Sequence, residues 1–268
     1  MTPQARKLQQ ALALGPVELV TVDRVQGSGP REPGAWMAVT PDAVINTIGG
    51  GHLEFQAIAQ ARERLAQNDS DRLPLQVVRF ALGPALGQCC GGVVHLKFET
   101  LRADHPQVAS LLATKGQPLA LFGGGHVGRA IVEVMSRLPY AVRWIDSRDE
   151  IFPDPLPPGV EAEHSDPVQD AVADLLPGSA VLIMSFSHAE DLDIVAACLK
   201  RQRQQHDLPY VGLIGSATKW ATFRHRLQER GYTETELAHI TCPIGIPGIE
   251  GKQPEVIAIA VAAQLLQH

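Results

Sequence analysis

The chain has 268 residues, 45% of them hydrophobic, and a formal net charge of −6. That length accommodates one large domain or two modest ones with proper cores. The acidic balance argues against a nucleic-acid backbone as partner, no apolar run reaches membrane-spanning length, and four cysteines, two of them adjacent, make no disulfide scaffold. The first residues lead into a short amphipathic pattern rather than a secretion signal, so the expected setting is reducing and cytoplasmic.

In chain order, residues 3–14 read as a helix stopped by Gly15-Pro16, and residues 17–22 as a strand. Residues 26–34 (QGSGPREPG) form a rigid polar loop, in which glycines open backbone N–H groups and prolines fix φ. Short strands over 36–39 and 44–45 precede a second glycine cluster, Gly49-Gly50-Gly51, which opens a helix ending before Asp69. Strands over 75–81 and 93–98 surround a third glycine-bearing loop that contains Cys89, Cys90 and Gly91. Residues 1–100 thus read as a small mixed α/β domain, 101–116 as a connecting helix, and 117–268 as a Rossmann-like parallel-sheet domain. In that last region strands are expected over 119–122, 141–146, 180–185 and 210–215, and helices over 170–176, 191–203, 217–230 and from about 254. Residues 149–159, with four prolines, read as an irregular loop.

The stretch LALFGGGHVGR organises the second half. An apolar strand runs into glycines spaced G-x-G-x-x-G, and an apolar helical pattern follows. Gly123 permits a tight turn, Gly125 permits close approach by a phosphate, and Gly128 lets the helix lie near the sheet. His126 would lie beside a bound phosphate or ring. Asp146 ends the next strand, at the distance where a ribose hydroxyl is usually held.

Other constellations leave alternatives open. Arg31 and its glycine neighbours can bind an anion by backbone nest and guanidinium fork, or Arg31 can pair with a nearby carboxylate. Cys89 and Cys90, before Gly91-Gly92, can supply a thiolate for a soft metal or for sulfur, or fill space as small apolar groups. His188, just past a buried strand, can act as a base or orient a ligand, or belong to a helix cap. Ser216, Thr218 and Lys219 form another anion-binding helix start, while Arg224, Arg226 and Arg230 read as a solvated face. There is no Ser–His–Asp order, no G-x-S-x-G elbow, no Walker lysine and no clear hydride-transfer pair. The inventory describes holding something anionic better than converting it.

Taken together, GSGPREPG (27–34), GGGHLE (49–54), GQCCGG (87–92), FGGGHVGR (122–129), SHAEDLD (187–193), VGLIGS (211–216) and CPIG (242–245) resemble the XdhC family, the accessory proteins of bacterial xanthine dehydrogenase maturation. Some broader relatives have a cysteine within 49–54, where this chain has His52. The resemblance implies a non-enzymatic, dimeric chaperone that binds the molybdenum cofactor (molybdopterin). It would protect that cofactor during sulfuration by a cysteine desulfurase and insert it into apo xanthine dehydrogenase. The residues it points to are Arg31, Gly51, Cys89, Cys90, Gly91, Gly123, Gly125, His126, Gly128, Asp146 and His188, with Cys90 the metal-contacting thiol. The competing class is an NAD(P)-dependent oxidoreductase acting on a small substrate.

Overall fold

The computed structural model describes residues 3–67, 74–82, 91–112 and 116–268. The chain divides into two compact units, Pro3–Thr114 and Lys115–His268.

The first unit holds α1 (Pro3–Leu14), β1 (Val17–Gln26), β2 (Trp36–Val39), β3 (Val44–Asn46), α2 (Gly51–Gln67), β4 (Gln76–Ala81), β5 (Val93–Leu101) and α3 (Pro106–Leu112). Its five strands form an antiparallel sheet in the order β3-β2-β1-β5-β4. Alternation along the strands divides the core between two faces. Val20, Val22, Met37, Leu96 and Phe98 pack under α2 through Leu53, Ala57 and Ala61. Leu19, Ala38 and Leu101 pack with α1 and α3 through Leu8, Leu12 and Val108. The segment read as a connector therefore belongs to this unit: β5 continues to Leu101, and α3 contributes to its core.

A buried ion pair lies inside this unit. Glu18 on β1 is fully buried and accepts from Arg64 Nε of α2 at 2.6 Å and from Thr100 Oγ1 of β5 at 2.7 Å. The rest of the guanidinium donates to Gln76 Oε1 and Pro74 O, both at 3.1 Å. A buried carboxylate is tolerated because both of its oxygens are matched.

The second unit holds β6 (Gln117–Phe122), α4 (His126–Met135), β7 (Tyr140–Asp146), β8 (Val160–His164), β9 (Ala180–Ile183), α5 (His188–Gln205), β10 (Tyr210–Leu213), α6 (Ala217–Glu229), α7 (Glu234–Leu237), β11 (Ile240–Thr241) and α8 (Pro254–Leu265). All six strands are parallel, in the order β11-β10-β9-β6-β7-β8. This is the doubly wound arrangement, with the order reversing between β6 and β9. Side chains alternate strictly. Leu119, Leu121, Val142, Trp144 and Leu182 face α4 and α8. Ala120, Phe122, Ile145, Val181 and Ile183 face α5, α6 and a 3-10 segment over Val168–Asp174. Strands buried on both faces read as continuous apolar runs, as β6 and β9 do.

Three short elements escape the periodicity. β8 (VEAEH) is an edge strand in which only Val160 is buried, β11 has two residues, and α7 is a single turn closed by a Thr233–Glu236 capping box. Among the described residues no helix is long and apolar enough to cross a membrane.

Candidate functional site in the Rossmann-like unit

The three glycines of the G-x-G-x-x-G spacing after β6 differ in what surrounds them. Gly123 has φ of +126°, and a Cβ there would lie 2.0 Å from Met184 O. Its N–H donates to Ile145 O at 2.8 Å, and its carbonyl accepts from Trp144 Nε1 at 2.9 Å. Gly128, in the first turn of α4, packs so closely that a Cβ would come within 2.1 Å of Gly123 O. Gly125 is the N-cap of α4, without a side-chain cap, and a Cβ there would meet nothing within 4 Å. Two glycines thus serve packing, and one leaves the helix start accessible. His126, the first residue of α4, is exposed beside it.

Asp146 has other partners than the ribose hydroxyl expected from its position. Its Oδ2 accepts from Gly124 N at 2.5 Å and from one Arg148 terminal nitrogen at 2.9 Å. Its Oδ1 accepts from Arg148 N at 2.9 Å and from Arg148 Nε at 2.8 Å. Burial pushes this carboxyl up, but the Arg148 fork and the two backbone N–H groups outweigh burial, and the net displacement is downward. The carboxylate stays ionised and fixes the glycine turn to the loop after β7.

The loop after β9 is tied in as well. Ser187 caps α5 by accepting from Glu190 N at 3.2 Å, so the helix begins at His188, three residues before the position expected from its apolar pattern. His188 is exposed and meets the ring of Phe223 edge-on, with centroids 6.3 Å apart. Buried Asp191 accepts from Ser185 N (2.8 Å) and Ser185 Oγ (2.7 Å), and from Lys219 Nζ at 2.6 Å. Lys219 also donates to Ile214 O at 2.9 Å. Its ammonium is therefore turned inward rather than offered to an anion at the start of α6, where Ser216 forms the cap. Arg224 on that helix and Arg230, the residue just past its end, are paired with Glu234 and Asp193.

In the first unit, three glycine segments come together. A Cβ on Gly49 would lie 2.5 Å from Pro30 Cβ, and one on Gly92 would lie 2.2 Å from Ser28 O. Arg31 pairs with Glu32 at 3.1 Å. Gly51 opens α2 with φ of +66°, and Glu54 one turn on collects Ile48 N (3.0 Å), Gly50 N (3.1 Å) and Thr47 Oγ1 (2.5 Å). Gly91 is exposed, with open space where a Cβ would be. Cys89 and Cys90 lie outside the described residues. Of the described cysteines, burial pushes the Cys198 thiol up to about 12, and burial also raises Cys242, against an opposing pull from Lys219. Neither is an activated thiol. Among the described residues no group of three or more His, Cys, Asp or Glu could hold a metal ion.

The model of the XdhC Rossmann domain matches residues 119–265, and that of the XdhC and CoxI family matches residues 12–80. The chain belongs to the XdhC family. YqeB of Escherichia coli (strain K12), itself described as uncharacterized, is 26% identical over 268 residues, covering 98% of this chain and 45% of that protein. The chain therefore spans less than half the length of that relative. A crystal structure described as a xanthine dehydrogenase from Bacillus halodurans has the same fold: TM-score 0.78 at 20% identity, covering 100% of this chain and 95% of that one.

For this XdhC-family chain, the sequence motifs enclose residues whose parts emerge only in three dimensions. Glu190 and Asp191 lie within the motif over 187–193, Phe186 directly before it, Arg148 two residues after Asp146, and Lys219 three after the motif over 211–216. Their partners lie on other loops, so spacing along the chain does not reveal them. One signal was available: a carboxylate ending a buried apolar strand, as Asp146 ends β7, needs a partner.

Proposed function

We propose that this protein is an accessory factor that carries the molybdenum cofactor as cargo, not an enzyme that turns over a substrate. In this reading a homodimer in the cytoplasm protects the cofactor while a cysteine desulfurase supplies its sulfido group, then inserts it into apo xanthine dehydrogenase. Membership of the XdhC family supports the enzyme system served. The observation that carries the binding reading is Gly125. At the switch point of a doubly wound sheet, where ligands of such folds sit, it leaves the start of α4 unobstructed while its neighbours are packed tight. A molybdopterin phosphate is the group this opening suits. The engagement of both Asp146 oxygens speaks against an NAD(P)-dependent oxidoreductase, whose ribose would need that carboxylate. In this reading Cys90, next to Cys89 in the sequence, is the soft ligand or sulfur carrier, and Arg31, Gly51 and Gly91 are the first unit's own candidates for holding an anion.

The test is to purify the protein from cells that make the cofactor, oxidise it, and measure fluorescent pterin. Near-stoichiometric pterin is expected, and Gly125→Val should abolish it while the fold survives. Pterin at background, with no uptake of added cofactor by the apo-protein, overturns the reading. Cys90→Ser should lower the sulfurated cofactor delivered to apo xanthine dehydrogenase. Unchanged delivery by the Cys89→Ser, Cys90→Ser double variant removes the thiols from the proposal.

A further inference from the structure

The carboxyl ends of β7 and β9 flank that of β6. A contact between the loops that follow them must therefore pass over the glycine turn. Among the described residues two contacts join the loop after β7 to the loop after β9 and the first turn of α5. Ser147 Oγ donates to Glu190 Oε1 at 2.8 Å, and the Arg148 guanidinium carbon lies 4.6 Å from the centre of the Phe186 ring. Phe186 is 66% exposed although it follows a strand buried on both faces, and it belongs to neither core cluster of the unit. Its backbone is nevertheless fixed, with Phe186 N donating to Glu190 Oε2 at 3.2 Å between two serines that bond within the same loop. Arg148 is held as firmly by its fork onto Asp146. Two flat groups are thus presented over the crevice from opposite sides, each anchored by its own partners.

We propose that Arg148 and Phe186 are the jaws of a clamp that takes a planar heteroaromatic ring between them. The inference rests on reading this crevice as the ligand site, but not on which ring-bearing ligand fills it. An aromatic face and a guanidinium both stack on such rings. An anion suits the position poorly: the Arg148 charge is already matched by Asp146, and the Glu190 carboxylate is close enough to act on it. A neutral flat ring meets no such opposition. At 4.6 Å the jaws are closed. Admitting a ring requires a separation of about 7 Å, two stacking distances, which the exposed Phe186 side chain reaches by a change of rotamer while Arg148 stays on its fork. A pterin and a purine share this chemistry.

Calorimetric titration of the full chain with pterin-6-carboxylate, adenosine monophosphate and ring-free ribose 5-phosphate separates the cases. Phe186→Ala, an exposed position that leaves the core intact, should weaken binding of the ring-bearing ligands about three- to tenfold. Phe186→Trp should restore it, and ribose 5-phosphate should bind every variant alike. The clamp is overturned if Phe186→Ala binds both ring probes as the wild type does, or if the wild type binds neither more tightly than ribose 5-phosphate. Wild-type binding of adenosine monophosphate but not of the pterin, lost in Phe186→Ala, upholds the clamp while the cargo reading falls. Normal pterin content in purified Phe186→Ala, with unchanged affinity, upholds the cargo reading while the clamp falls.

Discussion

Lys219 and Asp191 form a charge pair almost out of reach of water, with side-chain exposures of 12% and 3%. Taking either charge out of solvent is costly, and the pair persists because Ser185 and the Ile214 carbonyl complete its hydrogen bonding. Asp191→Ala is therefore expected to destabilise the second unit by about 3–5 kcal/mol in urea denaturation, since it leaves an ammonium without a counter-charge. Asp191→Asn combined with Lys219→Met should cost less than the sum of the single changes. Asp146 allows a pH test. Its folded carboxyl titrates below the unfolded value, so its ionised form stabilises the fold above the ordinary aspartate pKa of about 3.9. That contribution disappears as the pH falls through the folded value. Asp146→Asn should lose it at neutral pH and show a shallower decline of stability in acid, measured as denaturation midpoints from pH 7 to 3.

At the level of elements, the glycine turn and α4 act as one piece. Gly123→Ala and Gly128→Ala each drive a methyl group into backbone and should cost about 1–3 kcal/mol, whereas Gly125→Ala should leave the melting temperature unchanged. Loss of the α5 cap in Ser187→Ala should cost about 1 kcal/mol, seen as earlier hydrogen exchange in the first turn of that helix. The strand–glycine–helix unit was legible in the sequence because burial on both faces and the absence of side chains leave direct marks on residue choice. β8 was not: an edge strand buries one face in part, and Val-Glu-Ala-Glu-His carries no alternation strong enough to stand out from a loop. Of the candidate site, the glycines could be read singly, but Asp146 could not. Its position at the end of β7 fits a ribose contact and an internal fork equally, and the fork shows only once Arg148 is seen folded back onto it.

For the molecule as a whole, the four apolar clusters each draw on one unit alone. A fragment of residues 116–268 should therefore fold by itself, with cooperative thermal unfolding and the far-ultraviolet dichroism of an α/β domain. Loss of cooperativity in the fragment would show that the first unit supplies part of its stability. Within the second unit α8 has a special position. It is apolar on nearly every side, and Ala258, Val261, Ala262 and Leu265 complete the layer that covers Ile131 and Met135 of α4. Tyr140 Oη and Tyr210 Oη fasten it from two strands, through Leu265 O at 2.9 Å and Gln264 Oε1 at 2.8 Å. A ribosome makes α4 long before α8, so that side of the nascent sheet must wait half covered until α8 clears the exit tunnel. Chains stalled at Gln253 should expose that oily side to any trigger-type holdase or hydrophobic dye, and release of a chain extended to His268 should hide it in a single step.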